Sequence, residues 1–123
     1  MELFELIEAL ERLEEPNRRA DERIGQFAGW ERRSEPMNDN RETIETVYWV
    51  HDGKRYPRMP YFTTSIDAAL LAVEALLGPR TSGGVTLGRG PSWAQIDDGP
   101  QCGGCTPALA LVIAALRRKQ QID

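Results

Sequence analysis

Thr106-Pro107-Ala108-Leu109-Ala110-Leu111-Val112-Ile113-Ala114-Ala115-Leu116-Arg117-Arg118 is the stretch that decides how this chain folds. Thr106 can accept from the first free amides of a helix, and Pro107 stands where its missing N–H costs nothing. From Ala108 to Leu116 no polar residue intervenes, so the helix has no solvent face and belongs between other layers. Arg117, Arg118 and Lys119 follow, where cations favour the negative end of the helix dipole. The apolar run is about half the roughly 20 residues a membrane span needs, so no membrane-crossing helix is expected.

Working outward, Tyr61-Phe62-Thr63-Thr64-Ser65-Ile66-Asp67-Ala68-Ala69-Leu70 is a second capped start. Thr64 is placed to cover the amide of Asp67, with Asp67 reaching back, and the helix runs to about Leu77 before Gly78-Pro79 stops it. Further upstream, Leu3, Phe4, Leu6, Ile7, Leu10 and Leu13 keep spacings of three and four among glutamates, an amphipathic helix from Glu2 to about Glu15. Pro16 ends it. A further helix over Asn17 to about Phe27 is capped by Asn17 or restarts at Asp21, and leads to Gly29-Trp30.

Residues 31–43 are charged, aperiodic and contain Pro36, Asn38 and Asn40, which reads as an exposed loop. Thr46-Val47-Tyr48-Trp49-Val50-His51 is a strand entering a turn at Asp52-Gly53. The return arm from Lys54 to Tyr61 carries Pro57 and Pro60, which confine it to an edge or a loop. Val85–Arg89 and Ser92–Ile96 read as two strands joined at Gly90-Pro91, and Asp97 to Cys105 as a loop. The expectation is an α+β fold: a small antiparallel sheet of about three strands layered with helices, α/β/α sandwich-like.

Three blocks, Asp21-Glu22-Arg23-Ile24 leading to Gly29-Trp30, Tyr61 to Leu70, and Thr106 to Arg117, resemble the phage ABA sandwich domain, a family of small bacteriophage proteins. The resemblance implies a sheet flanked by helices and a phage setting. It implies no activity, because the matching residues are capping and packing positions. The acidic helix departs from the pattern, making residues 1–16 an N-terminal helical extension of a core at 17–123, and so does the Cys102-Gly103-Gly104-Cys105 loop.

A chain of 123 residues with 28% charged and 41% hydrophobic residues is one globular domain. Its net charge of −4 argues against general duplex binding, which calls for a surplus of cations. The charge is uneven: residues 1–46 carry 13 acids and 7 bases, residues 47–92 carry 3 and 5, and residues 93–123 carry 3 of each. The middle is either an ordinary surface or a small cationic patch for an anion. Met1-Glu2-Leu3-Phe4-Glu5 is acidic where a secretory signal would be basic, so a cytoplasmic site, that of an infected host, and reduced cysteines are expected.

Chemistry-bearing residues are few. Cys102-x-x-Cys105 has the spacing of a metal or redox pair, yet zinc needs four ligands and only His51 could join the pair within one chain. Two ordinary loop cysteines, a zinc site completed between subunits, and a redox pair all stay open. His51 is the sole histidine, either a general base or a half-exposed strand end. Ser65 and Ser92 lack a nucleophile elbow, and Gly88-Arg89-Gly90-Pro91 lacks the ending of a phosphate-binding loop. Trp30, Trp49 and Trp93 are core residues or, in part, an aromatic shelf.

The reading that follows is non-enzymatic, without a cofactor: a phage accessory protein binding a small anionic, nucleotide-like ligand, in a phage a sequestered host defence signal. Helix starts at Thr64, Ser65 and Thr106 would offer amides, Lys54, Arg55, Arg58 and Arg89 charge, and Tyr48, Tyr61 and Trp93 stacking surface. The alternatives are a protein-interaction or assembly module working through the acidic first helix, and zinc or redox chemistry at Cys102 and Cys105. A homo-oligomer is compatible with each.

Overall fold

The computed structural model describes residues 2–39, 42–86 and 91–122. Within them lie the helices α1 (Leu3–Glu11), α2 (Arg18–Ala28), α3 (Ile66–Leu77) and α4 (Pro107–Ile122). The strands are β1 (Glu31–Asp39), β2 (Glu42–His51), β3 (Lys54–Tyr56), β4 (Gly83–Val85), β5 (Ser92–Ile96) and β6 (Cys102–Gly104). The class is α+β, and the strands form two antiparallel sheets of order β1-β2-β3 and β4-β5-β6.

Helix α4 organises the core. Every residue from Ala108 to Leu116 is buried, as the absence of a polar face requires, and α4 packs against α1, α3, β4, β5 and β6. Burying a large aliphatic side chain such as Leu109, Ile113 or Leu116 contributes about 1.5–3 kcal/mol. Strand β5 alternates, with Ser92, Ala94 and Ile96 buried and Trp93 and Gln95 facing out. Helix α1 sets Leu6, Ile7 and Leu10 into the same core and leaves Glu2, Glu5, Glu8 and Glu11 exposed. It ends at Glu11, a turn earlier than its apolar periodicity suggests, with Arg12 as its C-cap.

The caps show how closely local chemistry sets the boundaries. Asn17 caps α2, its side chain accepting from the Ala20 amide at 3.0 Å. Ser65, and not Thr64, caps α3, with Oγ accepting from the Ala68 amide at 3.2 Å. Thr64 instead closes a turn through its own amide to the Tyr61 carbonyl. The Thr106 hydroxyl accepts from the Leu109 amide at 3.0 Å, capping α4 as Pro107 predicts.

Residues 31–39, expected as loop, are a nine-residue strand paired with β2 from Glu31 opposite Val50 onward. No alternation betrayed it, because residues 31–36 and 44–47 are exposed on both faces of the ribbon and no core selects one side. Among the described residues the base of this sheet meets the body, through buried Trp49 and part-buried Tyr56 and His51. The expected loop over 97–105 contains β6, a three-residue strand pairing with β5. The expected strand over Val85–Arg89 is described only to Thr86, and β4 already begins at Gly83. No described helix is long and apolar enough to cross a membrane.

Candidate functional site

A furrow runs between α3 and the base of the first sheet, made of two adjoining hollows that share Tyr56 and Leu71. The upper hollow, about 550 Å³, is walled by Trp30, His51, Asp52 and Lys54 on one side and by Leu71, Glu74, Ala75 and Pro79 on the other. The lower, about 420 Å³, is lined by Arg58, Met59, Pro60 and Tyr61 against Ser65, Asp67 and Ala68.

The turn after α2 builds the upper end. Gly29 takes φ +109°, a left-handed conformation that glycine adopts without strain, and turns the chain so that Trp30 is buried. The His51 ring lies on the Trp30 indole with centroids 3.6 Å apart and planes inclined by 8°. Tyr56 and Phe62 meet the same indole edge-on, at 5.8 and 5.2 Å. The Trp30 Nε1 is buried without a hydrogen-bond partner among the described residues, a donor left unsatisfied behind the furrow wall.

Strand β3 forms one bank of the furrow. It is the edge of its sheet, and among the described residues no backbone hydrogen bond joins Lys54–Tyr56 to anything but β2. Lys54 and Tyr56, two apart, share the face directed into the furrow; Arg55 points the other way. On the opposite bank α3 presents Leu71, 40% exposed, while Ile66 and Leu70, 37% and 51% exposed, lie on α3 outside the furrow lining.

The residues expected to converge on an anion are dispersed. Arg55 lies over the Tyr48 ring, 3.9 Å from its centroid, and donates to Glu35 at 2.9 Å. The hydrogen bond to Glu35 holds the Arg55 guanidinium above its ordinary pKa, so its charge is already answered, on the face away from the furrow. Lys54 stands in the upper hollow; Arg58, Tyr61 and Ser65 stand in the lower one. Tyr61 is covered by the Arg18 guanidinium at 3.9 Å. The Thr106 hydroxyl, besides capping α4, donates to the Thr63 carbonyl at 2.6 Å, and Thr106 lines neither hollow of the furrow. Arg89 lies outside the described residues. Trp93, grouped with the core in one reading, is 47% exposed on the second sheet, whereas Trp30 and Trp49 are buried.

Cys102 and Cys105 are free thiols on and just after β6, Cys102 near Arg117 and Glu11, while His51 lies in the furrow. Among the described residues no three histidine, cysteine, aspartate or glutamate side chains gather as metal ligands. Desolvation raises the pKa of both thiols, the reverse of the depressed value that makes a cysteine reactive.

Sequence reasoning missed Trp30, Leu71 and Ala75 as furrow residues, and Asp21 as a buried acid. The one local signal was the surplus of apolar residues between Ile66 and Leu77, more than one buried helix face can use. Comparison with protein-family models, with curated proteins and with solved structures yields no match.

Proposed function

We propose that the protein is a non-enzymatic interaction module that takes an extended segment of a partner protein as a fourth strand on β3, over the furrow walled by α3. One observation carries this reading: β3 is an unpartnered sheet edge directly beside a furrow lined by apolar helix residues. An added strand gains ladder hydrogen bonds whatever its sequence, and every second side chain drops toward the furrow. Leu71, Ala75 and Ala68 with Tyr56 provide apolar contact for those side chains. Lys54 and Arg58 carry no ion pair among the described residues, and stand on the strand side, where they favour acidic residues in the guest. In the phage setting that the sequence resemblance implies, the guest belongs to a host or phage protein. The acidic helix α1, by contrast, is engaged with α4, with Glu11 paired to Arg117 at 2.7 Å.

The test is selection from a displayed library of random peptides on the wild-type protein and on Leu71→Glu. Enriched peptides should show apolar residues at alternate positions. Their affinity should fall roughly tenfold or more, at least about 1.4 kcal/mol, on Leu71→Glu and on N-methylation of alternate peptide amides. No enrichment, or binding indifferent to both changes, sinks the reading.

A small anionic ligand is the second reading, favoured by the size of the upper hollow and by Lys54 and His51 in its walls. Asp52 and Glu74 in the same walls oppose an anion. Native mass spectrometry of protein taken from phage-infected cells would reveal a mass released on denaturation, and Lys54→Ala should abolish it. A bare chain disposes of this reading.

A further inference from the structure

We infer that the outer face of the second sheet, centred on Trp93, is a binding platform for a neutral saccharide. Strand alternation sends Trp93 outward from β5, and Gly103 is its direct partner on β6. A Cβ built on Gly103 would stand 3.3, 3.4 and 3.5 Å from three adjacent carbons of the Trp93 six-membered ring. Distances so nearly equal arise only when the ring is met face-on; an edge-on ring would leave its second and third atoms far more distant. The indole therefore lies flat across a residue with no side chain, and its opposite face accounts for the 47% exposure.

A large aromatic face held open to water costs burial that the core could have used, so the surroundings decide its meaning. The shallow hollow beside it, about 390 Å³, is lined by Ser82, Thr86, Gln95, Asp97 and Gln101 with the backbone of Gly83 and Gly84. Apart from Val85 and Ala94, these are amide, hydroxyl and carboxylate groups, and among the described residues no lysine or arginine joins them. Gln95 is oriented by donating to the Gly99 carbonyl at 3.0 Å, and Asp97 Oδ1 accepts from both the amide and the hydroxyl of Ser82. Gln101 is exposed and has no side-chain partner among the described residues.

Aromatic face and polar rim together select a ring that is apolar on one side and hydroxylated at its edge. A pyranose is such a ring: its axial C–H groups, slightly positive, meet the negative π face, and its hydroxyls reach amides and carboxylates. A nucleotide stacks as well, but its phosphate would find Asp97 where a cation is needed.

The experiment is two-dimensional NMR of the indole N–H signals during titration with oligomers of glucose, galactose, mannose and N-acetylglucosamine, and separately with 5′-AMP. The three tryptophans give three signals, and Trp93→Phe assigns one. One of the sugars should shift the Trp93 signal saturably, with a Kd on the order of millimolar. The Trp30 and Trp49 signals should stay in place and report an intact fold. Trp93→Ala should abolish binding, Gln101→Ala should weaken it several-fold, and Gly103→Ala, which puts a methyl under the ring, should weaken it too. If no sugar moves the Trp93 signal, or only 5′-AMP does, the saccharide platform is wrong.

Discussion

The backbone amide of Thr63 donates to Oδ1 of Asp21 at 2.7 Å, inside the protein, where Asp21 is 1% exposed. The other Asp21 oxygen accepts from Arg18 at 2.8 Å, and Arg18 reaches on to the Met59 carbonyl at 2.7 Å. On its carbonyl side Thr63 accepts from Thr106, so this one residue ties α2, the segment before α3 and the start of α4. Removing the carboxylate leaves a buried amide and a cation without their partner. Asp21→Ala should therefore cost roughly 2–4 kcal/mol, read as a lower urea midpoint, and Asp21→Asn should fall between it and the wild type. A loss below about 0.5 kcal/mol would mean that the network is ornamental.

Thr106 acts twice, as cap and as donor to Thr63. Thr106→Ala should cost about 1–2 kcal/mol, whereas Thr106→Ser keeps both bonds and should stay near the wild type. Because Thr106 and Asp21 hold opposite sides of Thr63, the double variant with Asp21→Ala should lose less than the sum of the two. Strict additivity in that cycle would show that the two bonds act independently.

Leu71 and Leu109 test the separation of binding surface from core. Leu71 is 40% exposed and Leu109 fully buried. Leu71→Glu should change stability by no more than about 0.5 kcal/mol while removing peptide binding. Leu109→Ala should cost about 3 kcal/mol through the cavity it leaves in α4's packing. Calorimetry on both variants decides it.

The two thiols carry a pH signature. Burial raises both pKa values above the ordinary 9.0, so the native state keeps protons that the unfolded chain releases. The stability they contribute is present below the ordinary thiol pKa and is lost as pH rises through the raised, folded values. Denaturation midpoints should thus fall less steeply above pH 9 in Cys102→Ala than in the wild type. Iodoacetamide at pH 8 should label the native protein far more slowly than the urea-unfolded one, and equal rates would contradict the burial of these sulfurs.

What the sequence could disclose was local. The absence of polar residues from Ala108 to Leu116 states that α4 is surrounded, and Thr106-Pro107 states where it starts. Cap placement was legible to within a residue, since Thr64 and Ser65 are both competent and only the turn at Tyr61 decides between them. Strand β1 was illegible because its residues 31–36 are exposed on both faces, and pairing leaves no mark on a residue pattern when both faces meet water. The fate of Arg55 depended on Glu35, twenty positions away and across two strands, and the furrow depended on how the first sheet leans on α3. Such relations belong to the fold as a whole, and neither charge counts nor spacing encode them.

The place of α4 in the chain sets a timetable. Helices α1, α2 and α3 and both sheets are synthesised before the residues around which most of them pack. Until Leu116 has left the ribosome, Leu6, Ile7 and Leu10 of α1 and the inner face of β5 have no common surface to cover them. The nascent chain must hold these apolar faces apart, or have them shielded, until α4 emerges, and the core closes only then.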